Sequence, residues 1–147
     1  MMKTGFLFLL MLLMGKGCGS DAQKDMSNTV VDYTANARGF YQRIVVKNQH
    51  YSVYKNRRDE QDAAVKDQLL SDADWKVLVE EFQKLKLQEL STYEAPTKKR
   101  LYDGAPHADL KITYHDSVYQ SQTFDHGAPP AQIQKLVEKI NQLAPKS

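Results

Sequence analysis

Two similar stretches in the second half of the chain contain the residues that are best suited to chemistry. They are YDGAPHADL at residues 102–110 and FDHGAPP at 124–130, and they contain His107 and His126. Counting strand pairs outward from a turn at residues 116–117 places the two histidines opposite each other at the open end of a β-hairpin. Two imidazoles with aspartates nearby would suit a divalent metal ion or general acid–base catalysis.

The composition of these stretches is also typical of turns, because glycine adopts unusual φ angles and aspartate bonds to nearby backbone amides. Alternation along the strands places both histidines on the solvent face. The sequence has no HxxxH or CxxC spacing, no GxSxG or SxxK motif and no Gly-rich phosphate loop. We therefore predict no catalytic residue, no metal ligand and no cofactor. A metal-binding protein or metal-dependent hydrolase that uses the His107/His126 region is the alternative.

The longest stretch without periodicity is STYEAPTKKRLYDGAPH, residues 91–107. Loops of more than about 12 to 15 residues in a compact domain tend to serve binding or to be disordered. The basic run in this loop lies beside aromatic residues and would suit an anionic glycan, a lipid head group or an acidic partner. The predicted binding residues, here and at the open end of the second hairpin, are Tyr93, Lys98, Lys99, Arg100, Tyr102, Asp103, His107, Asp125 and His126.

The only cysteine, Cys18, follows a basic start, an apolar stretch at residues 6–14 and the small-residue run Gly-Lys-Gly. This pattern is a secretion signal, and an apolar stretch of about ten residues is too short to span a membrane. A small residue followed by cysteine resembles the lipobox of bacterial lipoproteins. The resemblance implies that residues 1–17 are removed and that Cys18 is diacylated and anchors the chain in the cell envelope, in the outer membrane. Ordinary secretory cleavage after Gly17 also fits the pattern.

Charge and composition limit the class of protein. The 147 residues include 20 Lys and Arg against 18 Asp and Glu, and removal of the leader would take away Lys3 and Lys16 and balance the charge. Because nucleic-acid binding needs clustered basic residues, we expect no nucleic-acid partner. Hydrophobic content of 41% indicates one folded domain. The polar residues 18–30 are expected to form a flexible tether, followed by a single α+β domain over 31–147.

The first half of this domain predicts a β-hairpin and a helix. The runs FYQRIVVK at 40–47 and HYSVYK at 50–55 flank two turn residues, so that Val46 would pair with Tyr51. A short third strand is expected within 63–70. A helix follows, capped by Ser71 or Asp72. The predicted buried face of the hairpin comprises Phe40, Ile44, Val46, Tyr51 and Val53, and the predicted helix stripe comprises Trp75, Leu78, Val79, Phe82 and Leu85.

The second half repeats the pattern. ADLKITYH at 108–115 and VYQSQTF at 118–124 predict another hairpin, and two prolines at 129 and 130 precede a second apolar stripe at helical spacing. The predicted fold class is therefore α+β: an antiparallel sheet of two β-hairpins with two helices packed on one face, in the order ββαββα.

This arrangement, over residues 38–144, resembles the small lipid-anchored domains of unknown function in bacterial envelopes. It is more loosely similar to the two-hairpin, two-helix modules of secreted enzyme inhibitors. Fold-level likeness says little about activity. We expect a lipid-anchored, non-enzymatic module that binds an envelope protein or glycan through the 91–107 loop and the open end of the second hairpin. An inhibitor of a secreted enzyme is a further alternative.

Overall fold

The computed structural model describes residues 26–57 and 64–145 of the chain. The predicted leader, the lipid attachment at Cys18 and the tether up to residue 25 lie outside these residues. The strands are β1 (Thr29–Ala37), β2 (Phe40–Lys47), β3 (His50–Tyr54), β4 (Lys66–Leu69), β5 (His107–Tyr114), β6 (Ser117–Gln120) and β7 (Phe124–Asp125). The α-helices are α1 (Asp72–Gln83) and α2 (Gln134–Asn141). Three 3₁₀ helices cover Leu87–Thr92, Lys99–Leu101 and Ala131–Ile133. The described fold is α+β, as predicted.

The strands of the described residues form one antiparallel sheet of seven strands. Its order is β4-β3-β2-β1-β5-β6, and β7 pairs with β5. The predicted order ββαββα is wrong, because the sequence analysis missed β1, which pairs with β2 on one side and β5 on the other. The inward positions of β1 before its last residue are buried, whereas its outward positions are polar except for Val30. These buried inward positions are Thr29, Val31, Tyr33 and Ala35.

Met26 is also buried in the core. Residue 31, the predicted first residue of the domain, therefore lies within β1 and after the first buried residue.

The first hairpin has the predicted register. Val46 pairs with Tyr51 and Ile44 pairs with Val53. Asn48 adopts a φ of 54° and the residue after it a φ of 60°, which are the left-handed values that a two-residue hairpin turn requires. The predicted third strand is present as β4 at the edge of the sheet. Four of the five predicted inward residues are buried, and Phe40 is half-buried.

The second hairpin turns one residue earlier than predicted. His115 and Asp116 have φ angles of 47° and 66°, and Tyr114 pairs with Ser117. The left-handed turn therefore forms at residues 115–116, because both central positions of such a turn need positive φ. The pairing partner of each β5 residue in β6 is consequently two residues away from the predicted one.

The two α-helices join the core of the sheet and contact each other. The Ser71 hydroxyl accepts a hydrogen bond from the Asp74 amide at 3.1 Å, which caps α1 as predicted. An ion pair of 2.6 Å joins Asp74 to Lys139 of α2. Neither helix, nor any other in the part of the chain that the structure describes, has the length and hydropathy that a membrane crossing requires. The buried residues of the helices are Trp75, Leu78, Val79, Phe82, Leu136, Val137 and Ile140.

Candidate binding site at one end of the sheet

A row of four side chains crosses the sheet where β1 ends and β2 begins. Asn36 is paired with Tyr41 of β2 and with His107 of β5, and His107 is in turn paired with Asp125 of β7. Directly paired residues point to the same side of a sheet. Because the neighbouring residue Ala108 lies in the core, this row, which we call the outer row, lies on the opposite face.

Asp125 is the buried end of the outer row and anchors the loop that passes over it. Its carboxylate accepts hydrogen bonds from the Thr97 hydroxyl at 2.5 Å and from the backbone amides of Lys99 and Arg100 at 2.8 and 2.9 Å. The Arg100 guanidinium donates a further bond at 3.2 Å. Burial alone would raise the pKa of Asp125, but these donors outweigh it and lower the pKa to about 2. The charged carboxylate therefore holds the start of the 3₁₀ helix Lys99–Leu101.

The three side chains of the predicted basic cluster, Lys98, Lys99 and Arg100, differ in exposure because only that of Arg100 contacts Asp125. The Arg100 side chain is only 13% exposed because it contacts Asp125. Little of its guanidinium is therefore available to a partner, contrary to the prediction. Lys98 and Lys99 are exposed, together with Leu101 and Tyr102, of which 68% and 77% are accessible. We call residues 97–102 the anchored loop.

The other predicted residues of the 91–107 segment also differ in exposure: one is half-buried and two are exposed. Tyr93 is half-buried and packs against the core, so most of its surface contacts the protein itself. Asp103 is exposed, and its backbone amide donates to the Lys99 carbonyl at 2.7 Å. His107 is exposed on the outer row. The exposed residues of the predicted set in this segment are therefore Lys98, Lys99, Tyr102, Asp103 and His107.

The structure does not bring His107 and His126 together. His107 is opposite Asp125, so the predicted cross-strand pair of histidines is wrong. Instead, a hydrogen bond of 2.7 Å joins Nδ1 of His126 to the Tyr33 hydroxyl. The centroid of the His126 ring lies 5.5 Å from that of the Phe40 ring. Within residues 26–57 and 64–145, no three His, Cys, Asp or Glu side chains lie close enough together to hold a metal ion.

His126 belongs to a polar network at the edge of the core. Burial, and to a lesser degree the charge of Lys55, lowers the pKa of His126, while burial raises the pKa of Tyr33 well above its usual value. The pair is thus neutral at pH 7. Nearby, the Gln42 amide donates to the Asn141 side-chain oxygen at 2.9 Å. His126 and Asn141 line a cleft of about 800 Å³. Sequence reasoning missed Gln42, although its inward position in the alternation of β2 was a signal.

A second cleft, of about 860 Å³, lies beside the outer row, and sequence reasoning missed it. Arg38 comes from the turn between β1 and β2, Lys55 and Arg57 follow β3, and His107 begins β5. These residues are far apart in sequence, so no local motif indicated them. We call this cleft the basic cleft, because its described lining contains cationic side chains and no Asp or Glu.

Comparison of the chain with family models, curated proteins and solved structures finds no match.

Proposed function

We propose that this chain is a lipid-anchored protein of the bacterial cell envelope and that its α+β domain is a non-enzymatic binding module. The signal and the cysteine at the N-terminus support the anchor. The contact region that we assign is the anchored loop, together with the end of the outer row at His107. Its partner is an envelope protein or glycan with anionic groups.

The anchoring of the loop by Asp125 is the observation that supports this assignment. Four hydrogen bonds to one buried carboxylate restrict the loop before a partner arrives. A binding segment that is already ordered loses less conformational entropy on association, so its affinity is higher. Rigid support with exposed side chains is what a contact surface needs.

The side chains that the loop exposes are suited to recognition. Leu101 and Tyr102 provide apolar contact area, and a tyrosine can also form a hydrogen bond with its hydroxyl. Lys98 and Lys99 add positive charge at the rim, which attracts an anionic partner and accelerates association. Leu101 and Tyr102 are two of the six exposed large hydrophobic residues among those described, and their adjacency supports a contact surface at this position.

Photo-crosslinking in cells of the native host tests this function. A photoreactive amino acid replaces Tyr102 in one variant and Val118, which is 61% exposed on β6, in a matched control. We expect one discrete adduct from position 102, weakened several-fold by K98Q/K99Q, and no such adduct from position 118. Equal adducts from both positions, or none from position 102, would contradict the proposal.

A further inference from the structure

We propose that the basic cleft binds a ligand that contains a phosphate monoester. The cations on which this inference depends, Arg38, Lys55 and Arg57, lie outside the anchored loop, although His107 lines the cleft and also belongs to the proposed contact region. The inference does not depend on the lipid anchor. The cleft is lined by Asn36, Arg38, Phe40, Tyr41, Lys55 and Arg57.

The pairing of the arginines supports this inference. In the described residues, Arg43 pairs with Asp32 at 2.7 Å and Arg100 pairs with Asp125 at 3.2 Å, so both have carboxylate partners. Neither Arg38 nor Arg57 has a carboxylate partner among the described residues. The two arginines of the cleft therefore keep their full charge for another anion.

Neutral groups orient two of the cations of the cleft. The Arg57 guanidinium donates a hydrogen bond to the Asn36 side-chain oxygen, and it lies 5.7 Å from the centroid of the Tyr41 ring. The Lys55 ammonium donates to the Gln42 side-chain oxygen. Contacts with amide oxygens and an aromatic face hold a cation in place without cancelling its charge. The cleft thus contains positioned cations before any ligand binds.

The geometry of these groups favours phosphate. A guanidinium presents parallel N–H donors that match two oxygens of a phosphate, and a lysine ammonium adds a point charge. A phosphate monoester carries close to two negative charges at pH 7, so it suits several cations in one cleft. At about 860 Å³ the cleft is much larger than one phosphate ion, which leaves room for the rest of the ligand beside Phe40.

Titration calorimetry on the full-length chain in a nonionic detergent tests this site. Inorganic phosphate and glycerol 3-phosphate are the probes for a free ester, with equal concentrations of sodium chloride as the ionic control. We expect saturable one-to-one binding of glycerol 3-phosphate that R38Q/R57Q weakens at least about tenfold, because charge-assisted hydrogen bonds are lost. K47Q/K76Q removes two exposed charges elsewhere and should bind as the native chain does.

A further arm distinguishes a free ester from a lipid head group. Phosphatidic acid in the detergent micelles should abolish the heat of glycerol 3-phosphate binding if the cleft also accepts a lipid head group, whereas phosphatidylcholine should not. Persistence of that heat in the presence of phosphatidic acid would assign the site to a soluble ester. Either result supports the proposal.

The acidic residues that follow Arg57 require their own variant. Asp59, Glu60 and Asp62 lie outside the described residues, and they follow Arg57 closely in the sequence. In D59N/E60Q/D62N we expect glycerol 3-phosphate to bind at least as tightly as to the native chain. The proposal is overturned if the native chain and this variant both give no saturable heat, or if R38Q/R57Q binds with unchanged affinity while its thermal unfolding is native-like.

Discussion

Asp125 accepts two hydrogen bonds from Arg100, one from the backbone amide at 2.9 Å and one from the guanidinium at 3.2 Å. The two side chains are only 3% and 13% exposed. A charged pair that is both buried and hydrogen-bonded is costly to break, because the remaining group keeps its desolvation cost. The stability of the domain and the conformation of the anchored loop therefore depend on the same carboxylate.

Replacement of this carboxylate by an amide should destabilise the domain. We expect D125N to lower the free energy of unfolding by about 2–3 kcal/mol, since the amide cannot accept all the donors and leaves Arg100 unpaired. Urea denaturation provides the measurement. D103N removes an exposed aspartate in the same region and should change the free energy little. Equal effects of the two substitutions would show that Asp125 does not anchor the loop.

The pH dependence of stability should reflect the same group. The pKa of Asp125 in the folded state is about 2, below its ordinary value of 3.8. A depressed pKa stabilises the fold above the unfolded value, and this stabilisation is lost as the pH falls from about 4 through about 2. It amounts to about 2 kcal/mol by linkage. The difference in unfolding free energy between the native chain and D125N should therefore narrow over this range. A constant difference from pH 6 to pH 2 would be inconsistent with the lowered pKa.

The three basic residues of the loop should behave differently when they are neutralised. R100Q should lower the free energy of unfolding by about 1–3 kcal/mol, because it removes a charge-assisted bond to a buried carboxylate. K98Q/K99Q changes two exposed side chains and should stay within about 0.5 kcal/mol of the native chain. Thermal unfolding of both variants tests this difference. If R100Q were as stable as K98Q/K99Q, Arg100 would not stabilise the fold through its contact with Asp125.

The N-terminus provides a prediction that is independent of the fold. Mass spectrometry of the native protein should find a diacylglyceryl adduct on Cys18 as the first residue. In C18S the adduct should be absent, and the protein should move from the membrane fraction to the soluble envelope fraction. Recovery of the native chain from the cytosol with its leader intact and a free thiol would contradict the anchor.

Local sequence patterns predicted the elements whose signals lie within a few residues. Asn48 and the alternating residues on either side of it predicted the first hairpin and its register, and Ser71 predicted the start of α1. Strand β1 was missed because its alternation of apolar and polar residues is interrupted. Val30 is an apolar residue at an outward position and Thr29 is a polar residue at an inward one, so that the hydrophobic signal is weak. The turn at His115 was missed because a left-handed φ at histidine is uncommon.

The candidate site was only partly predictable for a different reason. The sequence indicated the region of the 91–107 loop, since a long stretch without periodicity is visible in one dimension. It gave equal weight to Lys98 and Arg100, because adjacent basic residues look alike until one of them is seen to contact Asp125. The basic cleft joins Arg38, Arg57 and His107, which become neighbours only when β1 pairs with both β2 and β5.

The sequence by itself determined the α+β composition, the first hairpin and the stripe of α1 from Trp75 to Phe82, although Leu85 of the predicted stripe lies beyond the end of α1. It also predicts a lipid anchor. Each of these depends on near neighbours in the chain. The tertiary structure alone decided the central position of β1, the separation of His107 from His126 and the contact between Arg100 and Asp125. Those outcomes depend on pairing between distant segments. A shift of one residue in a strand reverses which face each side chain occupies, and composition does not encode that register.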